Sequence, residues 1–467
     1  MFMEEVIVRH FQGRISNYLS NEDKIIFLEK RKLVDMLSSN THIGSKSDKD
    51  RNQKKIMFII PHLGYGGAEK VVANLSKLFY DYDNTVVIYQ NIITYNVNAT
   101  IILINTPGSE SILKKIKNFL IRFYKTKKIK ELIKPAIAIS FLEQDNIINI
   151  LTKTKFQKTI LTFHSNTSEY FENAPYFRKG VGKILKILYK LAYRTIINKA
   201  DFLVCASQGI AYDLVKNFRA KYEKIKVIYN PILIEEVEQL AQEDIGSYNN
   251  IFLNPVLITA GRLTKPKGQW YILRVFRQLK ETYKDLKLVI LGEGELKEYL
   301  IKLSEELGLR TFVWDRDSFS EDFDVYFLGF QKNPFKFIAR SKLFVFPSLW
   351  EGFPNALVEA MACGVPVVSS DCRSGPREIL APNTDVEYQT EKPEFAEYGV
   401  LMPVFDVKFK SAKEPLVEKE KMWVKILEKL IEDEELGKAY SIKGKQRAEK
   451  FSLEKIVEEW KRLIEGV

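Results

Sequence analysis

With 467 residues, 46% of them apolar and 12% aromatic, the chain exceeds one ordinary core and has the apolar content for two domains of roughly 150–200 residues each. Its formal charge of +11 draws it toward something anionic: a phospholipid surface, a nucleic acid or a nucleotide substrate. Cys205, Cys363 and Cys372 lack the spacing of a zinc site or disulfide framework and fit a reducing cytoplasm; no run of about 18 uncharged apolar residues appears, and Glu4, Glu5 and Arg9 interrupt any secretory signal.

In chain order, residues 1 to about 54 read as an appendage, in which a mixed-charge helical pattern around Asp23–Leu37 runs into the polar tract SSNTHIGSKSDKDRNQKK. Lys55–Pro61 (KIMFIIP), a glycine-rich turn and the amphipathic segment Ala68–Tyr80 then predict a strand, a loop and a helix. Apolar runs at Thr85–Tyr89, Ala136–Phe141, Lys158–Phe163, Phe202–Ala206 and Lys226–Tyr229 alternate with helical stretches and predict a parallel sheet covered on both faces. A second set, Val256–Ala260, Lys287–Leu291, Val325–Leu328, Leu343–Pro347 and Val365–Ser369, predicts another α/β half, joined to the first near Pro231–Pro255. From about Ala412 the chain becomes charged and helical, a stretch expected to pack across the lobes.

The loop HLGYGGAEK (His62–Lys70) falls between the first strand and helix, where free backbone N–H groups and the helix dipole make an anion site; a tight structural turn is the bland alternative. Its glycines do not match GxGxxG, and the strand that should end in a ribose-binding acid ends in Tyr89-Gln90, so a nicotinamide oxidoreductase loses its discriminating residues. In TAGRLTKPKGQ, Arg262 and Lys267 follow a strand end around a turn set by Pro266 and Gly268, and suit a diphosphate whose developing charge must be neutralised. Gly292 and Gly294 of LGEGEL are expected to open a helix and to present N–H groups to the same phosphates.

The constellation FPSLWEGFPNALVEAMACGVPVVSSDCRSGPREI spans Phe346–Ile379. A helix starting near Pro354 puts Glu359 in its second turn and leaves Glu351 on the preceding loop, with the N–H groups of Phe353, Asn355 and Ala356 facing a ligand. Asp315-Arg316-Asp317 spells a DxD, read as surface because it follows the helical stretch Leu296–Leu307 in a polar loop far from the other motifs; with Arg262 and Lys267 supplying positive charge, no metal is required. Two basic stretches carry much of the net charge: Lys114–Lys134, with nine cations and one acid, and Phe177–Lys199, with seven cations and no acid. The second has an apolar stripe of Val181, Ile184, Leu185, Leu188, Leu191 and Ile196, and its cations Lys183, Lys186, Lys190 and Arg194 are expected to face an anionic bilayer; packing on the sheet is the alternative. No motif for reading nucleic acid accompanies the charge.

These segments resemble glycosyltransferase family 4, retaining enzymes with the GT-B fold, an α/β architecture of two Rossmann-like doubly wound domains facing across a cleft. The similarity runs from about Lys55 to the C-terminus, and its sharpest motif is E-x7-E, here Glu351 through Glu359. The resemblance implies that Glu359 holds the nucleotide ribose, Glu351 the transferred sugar near its C3 hydroxyl, and Arg262 and Lys267 the diphosphate. Gly67 would close over the donor, with Gly292, Gly294, Phe353, Pro354, Asn355 and Ala356 around it. His164 in TFHSN would face sugar and acceptor, and Asn230-Pro231 in VIYNP would enter the hinge.

The implied division is an extension and linker over residues 1–54, an acceptor-side domain over 55–235, a nucleotide-sugar-binding domain over 236–450 and a closing helix over 451–467 that packs back across the lobes. The extension departs from the family pattern, and SGPREI with the insertion Ala381–Tyr398 resembles the subset acting in capsule, O-antigen or lipid-linked oligosaccharide assembly. The implied function is retaining transfer of a hexose or N-acetylhexosamine, from a UDP-sugar, to a polyprenyl-linked or otherwise membrane-held glycan. The expected place is the cytoplasm, peripheral to the inner face of the membrane, with no cofactor or metal and no nucleic-acid partner. A non-catalytic partner of another transferase is the remaining rival, opposed by the intact set Arg262, Lys267, Glu351 and Glu359.

Overall fold

The computed structural model describes residues 54–64, 66–108, 111–173 and 181–466. The helix expected around Asp23–Leu37 lies outside the described residues.

The first lobe runs β1 (Lys55–Ile59), α1 (Gly67–Leu78), β2 (Asp83–Ile88), β3 (Thr100–Leu103), α2 (Ile112–Ile133), β4 (Ile137–Phe141), α3 (Glu143–Leu151), β5 (Lys158–Phe163), α4 (Thr167–Asn173), α5 (Val181–Ile197), β6 (Phe202–Cys205), α6 (Gln208–Phe218) and β7 (Ile225–Val227). All seven strands are parallel, in the order β3-β2-β1-β4-β5-β6-β7. Central strands such as IAISF are buried along their whole length, as a sheet with helices on both faces requires.

After α7 (Ile234–Ala241), the second lobe runs β8 (Val256–Ala260), α8 (Gln269–Thr282), β9 (Lys287–Leu291), α9 (Lys297–Glu306), β10 (Thr311–Val313), β11 (Val325–Phe327), α10 (Phe335–Ile338), β12 (Leu343–Phe346), α11 (Asn355–Ala362), β13 (Val367–Ser370), α12 (Pro376–Leu380), β14 (Glu394–Phe395) and β15 (Val400–Met402). The order is β10-β11-β9-β8-β12-β13-β15-β14, parallel except at β14. Strands β3, β10, β14 and β15 were not expected. Each is four residues or fewer, too short for a periodic signal, and pairing with a neighbouring strand defines them.

In the middle of each sheet the strand order reverses, between β1 and β4 and between β8 and β12. Loops leaving the C-terminal ends on either side of such a switch point diverge and open a crevice, so the topology already names the loops that form the site.

Of the C-terminal helices, the closing one crosses between the lobes as expected and the two before it do not. α13 (Glu418–Glu432) and α14 (Glu434–Ala448) stay with the second lobe, where Trp423, Leu427 and Leu430 join a core with Tyr271, Leu273 and Phe276. The buried pair Arg274–Glu420, 2.6 Å apart, fastens α13 to α8. The crossing is made by α15 (Leu453–Glu465), whose Ile456, Trp460, Leu463 and Ile464 enter the first-lobe core beside Ile56 and Phe58. Ile232 N–H donates to Phe451 O and Leu453 N–H to Ile232 O, so the chain's two passages between lobes run side by side.

Candidate functional site

The second lobe contributes the loops after β8 and β12. Gly268, at φ +62°, occupies the left-handed region, and a Cβ there would stand 2.5 Å from Pro347 O. That close approach sets Lys267 against the β12 loop: its Nζ lies 2.6 Å from Glu351 Oε1 and 5.1 Å from the centre of the Phe346 ring. Arg262 is exposed beside it. Across the cleft, burial raises the Glu69 carboxyl above its ordinary range, with His62 and Arg262 among the neighbours opposing this.

At Gly292 the β9 loop acts differently from expectation. Gly292 donates its N–H to Gly329 O, and a Cβ on it would lie 2.0 Å from Gly261 O; one on Gly294 would lie 2.4 Å from Leu263 O. These glycines let the β9 loop press against and shape the Arg262 loop, and α9 begins only at Lys297. Asn355 donates its N–H to Phe353 O, which takes it away from a ligand. The Phe353 ring packs on Tyr229 and Phe451, 5.3 Å from each centre. Pro354 is the N-cap of α11, Ala356 lies in its first turn, and Glu359 in its second.

The first lobe supplies α1, which follows β1 and has no side-chain cap at Gly66. Gly67 is exposed, within 3.4 Å (from an added Cβ) of Asn355 Nδ2, so the N-termini of α1 and α11 meet at the cleft. Lys70, one turn along, reaches Glu359 Oε1 at 3.1 Å. His164, after β5, stacks on Phe141 at 5.6 Å and shares a 3.0 Å hydrogen bond between Nε2 and Thr162 Oγ1. Burial, opposed by Asn230, lowers its pKa to about 4, so the ring is neutral at pH 7. Behind it, Glu143 accepts from Ser165 Oγ at 3.0 Å. Asp145 is fully buried near Arg122 and Tyr89, and that burial raises its pKa well above the carboxylate range.

The lobes touch at several points. Ser165 and Gly352 form an antiparallel bridge, and Asn230 donates to Asn355 Oδ1 at 3.0 Å. Glu378, on α12, accepts from the N–H groups of Gln208 (2.7 Å) and Gly209 (3.2 Å) at the start of α6. Burial pushes that carboxyl up to about 7. Arg262, Lys267, Glu351, Glu359, Gly67 and His164 therefore converge on one cleft. Lys70, Asn230 as a side chain, Glu143, Asp145 and Glu378 were not singled out by sequence. Only Lys70 carried a signal there: three residues from Gly67, it shares that glycine's helix face.

Two other expectations resolve locally. Asp315 is held by Lys297 at 2.6 Å, and Asp317 by Arg316 and the Val313 N–H; among the described residues no cluster of three His, Cys, Asp or Glu could hold a metal. Of the basic helix expected over Phe177–Lys199, residues 177–180 lie outside the described residues and Val181–Ile197 is helical; the side chains of residues 181–185 and 188 also lie outside the described residues. Of the four cations expected to face outward, the three with described side chains do not. Lys186 pairs with Glu172 at 2.6 Å, Lys190 lies over the Phe218 ring, and Arg194 donates to Asn217 O at 3.0 Å. Tyr193 and Ile197 bury the helix's inner face, which swings that cationic stripe to the seam and leaves Ile187 and Leu191 60% and 50% exposed.

Two doubly wound lobes with switch-point loops facing each other, and with paired cations and acids between them, define the GT-B class of sugar-transferring enzymes. The model of Glycosyltransferase Family 4 matches residues 65–236, and that of Glycosyl transferases group 1 matches residues 249–394. The chain is 38% identical, over 78% of its length and 88% of the relative's, to an uncharacterized glycosyltransferase of Methanocaldococcus jannaschii. It is 31% identical, over 88% of its length and all of the relative's, to the N-acetylgalactosamine-N,N'-diacetylbacillosaminyl-diphospho-undecaprenol 4-alpha-N-acetylgalactosaminyltransferase of Campylobacter jejuni. Anabaena HepE in complex with UDP shares the fold, with a TM-score of 0.65 at 17% identity over 88% of this chain and all of that one. The chain belongs to glycosyltransferase family 4.

Proposed function

We propose that this glycosyltransferase moves an N-acetylhexosamine or hexose, with retention of configuration, from a UDP-sugar to a hydroxyl of a glycan held on a polyprenyl diphosphate. The observation that carries the reading is the Lys267–Glu351 pair, 2.6 Å apart, beside Arg262 at the second-lobe switch point. The names of the Campylobacter relative and of the UDP-bound HepE structure support the acceptor and donor classes. Arg262 and Lys267 would neutralise the leaving diphosphate, Glu351 would hold a hydroxyl of the transferred sugar, and Glu359 the ribose, with neutral His164 toward sugar and acceptor. The acceptor oxygen would bond to the anomeric carbon on the face from which the diphosphate oxygen departs, its proton passing to that diphosphate. No protein base is then needed, and the site's work is positioning and electrostatic stabilisation.

The test is transfer by the full chain from UDP-GalNAc, UDP-GlcNAc, UDP-galactose and UDP-glucose to a polyprenyl-diphosphate-linked oligosaccharide, with the product anomer read by NMR. An α-linked product supports the reading. A β-linked product overturns retention, and failure of every UDP-sugar overturns the donor class. We further expect turnover to persist in excess EDTA, because cationic side chains stand where a metal would neutralise the diphosphate. Loss in chelator that Mg²⁺ or Mn²⁺ restores would overturn that expectation.

Among the described residues no helix is long and apolar enough to cross a membrane. For a membrane-held acceptor, the surface best suited to an anionic bilayer is the first two turns of α2. There Leu113 and Ile116 are 80% and 48% exposed among the exposed Lys114, Lys115 and Lys117. Each cation near such a surface contributes on the order of 1 kcal/mol, so binding to anionic vesicles should weaken as salt rises. A Leu113→Ser/Ile116→Ser/Lys114→Glu chain should sediment less with those vesicles than the parent. Equal sedimentation of the two proteins would dismiss α2 as the contact.

A further inference from the structure

Lys70 is the feature of the cleft that the roles above leave unused. It belongs to the first lobe, yet among the described residues it is the one side chain hydrogen-bonded to the carboxylate of Glu359, an acid of the second lobe. Both side chains are largely buried. Burial acts to lower the Lys70 pKa, but Glu359, with Tyr95 and Glu236, outweighs it, so the amine stays an ammonium ion.

We propose that Lys70 is a positioning residue for the nucleotide: it fixes the Glu359 carboxylate in the orientation that accepts both ribose hydroxyls, and so completes the ribose subsite from the opposite lobe. This rests on the reading of Glu359 as the ribose-binding acid.

Three observations support it. A glutamate in the second turn of α11 has three side-chain torsions and would sweep the cleft mouth unless held. The hold uses Oε1, and a carboxylate offers about four lone-pair sites, so two hydroxyl donors can be accepted without displacing the ammonium. Finally, Lys70 is not needed to keep the lobes together. The Ser165–Gly352 bridge, the Asn230–Asn355 hydrogen bond and the clasp of Glu378 on α6 do that elsewhere. A cation spent on that acid is thus better explained by what the acid must receive. Because the two residues come from different lobes, the subsite is complete only when the cleft is closed, which ties ribose recognition to closure.

The experiment measures binding of UDP and of 2′,3′-dideoxy-UDP to the full chain by calorimetry, for wild type, Lys70→Met and Lys70→Arg, with folding checked by thermal melt. Lys70→Gln replaces Lys70→Met should the latter not fold. Hydrogen bonds to a charged group are worth about 1.5–3 kcal/mol, so wild type should prefer UDP by about 10- to 100-fold. Lys70→Met should lose most of that preference, and Lys70→Arg should recover part of it. A Lys70→Met chain that weakens toward both ligands equally, or keeps the wild-type preference, overturns the positioning role while leaving Glu359 as the ribose residue. A wild type that binds both alike, or does not bind UDP, overturns the nucleotide reading itself and this proposal with it.

Discussion

Replacement of Lys267 by alanine is expected to lower turnover by at least about 10²-fold, the usual consequence of losing one preorganised donor at a site of developing charge. Two effects act together. The leaving diphosphate loses a cation, and Glu351, mostly buried and paired with Lys267 at 2.6 Å, loses the partner that orients it. The fold should persist, because Lys267 sits in a loop whose shape is set by Gly268 and by the Leu349 N–H to Pro266 O hydrogen bond. The measurement is kcat of the purified variant beside its thermal melt. Near-normal kcat in a folded protein would remove Lys267 from the leaving-group role.

Gly352→Ala should cost a comparable factor for a different reason. A Cβ on Gly352 would stand 1.9 Å from His164 O and 3.0 Å from Ser165 Cα, both backbone atoms of the other lobe. Neither can rotate away, so relief comes from moving the β12 loop or from parting the lobes. Both displace Glu351 from the first-lobe groups, and a misplacement of about 1 Å can cost about 10²-fold in rate. Each lobe's core is untouched, so the melting temperature should move little. Full activity, with an unchanged scattering radius in the presence of UDP, would show that the seam between His164 and Gly352 does not govern closure.

The legibility of the site followed the reach of each motif. Arg262 and Lys267 were readable because strand, turn and cations occupy eleven consecutive residues, Thr259–Gln269, and Glu351 and Glu359 because loop and helix start are contiguous. Gly292 was recognised as special but given the wrong work. A glycine's sequence context cannot distinguish an N–H aimed at a ligand from a missing Cβ that lets two loops touch, and only Gly261 O at 2.0 Å decides between them. The basic helix over Val181–Ile197 failed similarly. Its amphipathic pattern was real, but which stripe faces inward depended on Tyr193, Ile197 and the neighbouring Phe218.

What the sequence by itself determined is whatever arises from neighbours along the chain: two α/β halves from alternating apolar runs and helical patterns, the turns at glycine and proline, and the pairing of acids and cations with strand ends. What only the tertiary structure decided is whatever joins distant segments. Lys70 meets Glu359 across 289 positions, and Gln208 meets Glu378 across 170; the closing helix makes its crossing by finding a groove against the first-lobe core. Such contacts leave no periodic trace, because a side chain's local pattern records only whether it is buried. The partner that buries it is chosen by the packing of whole lobes.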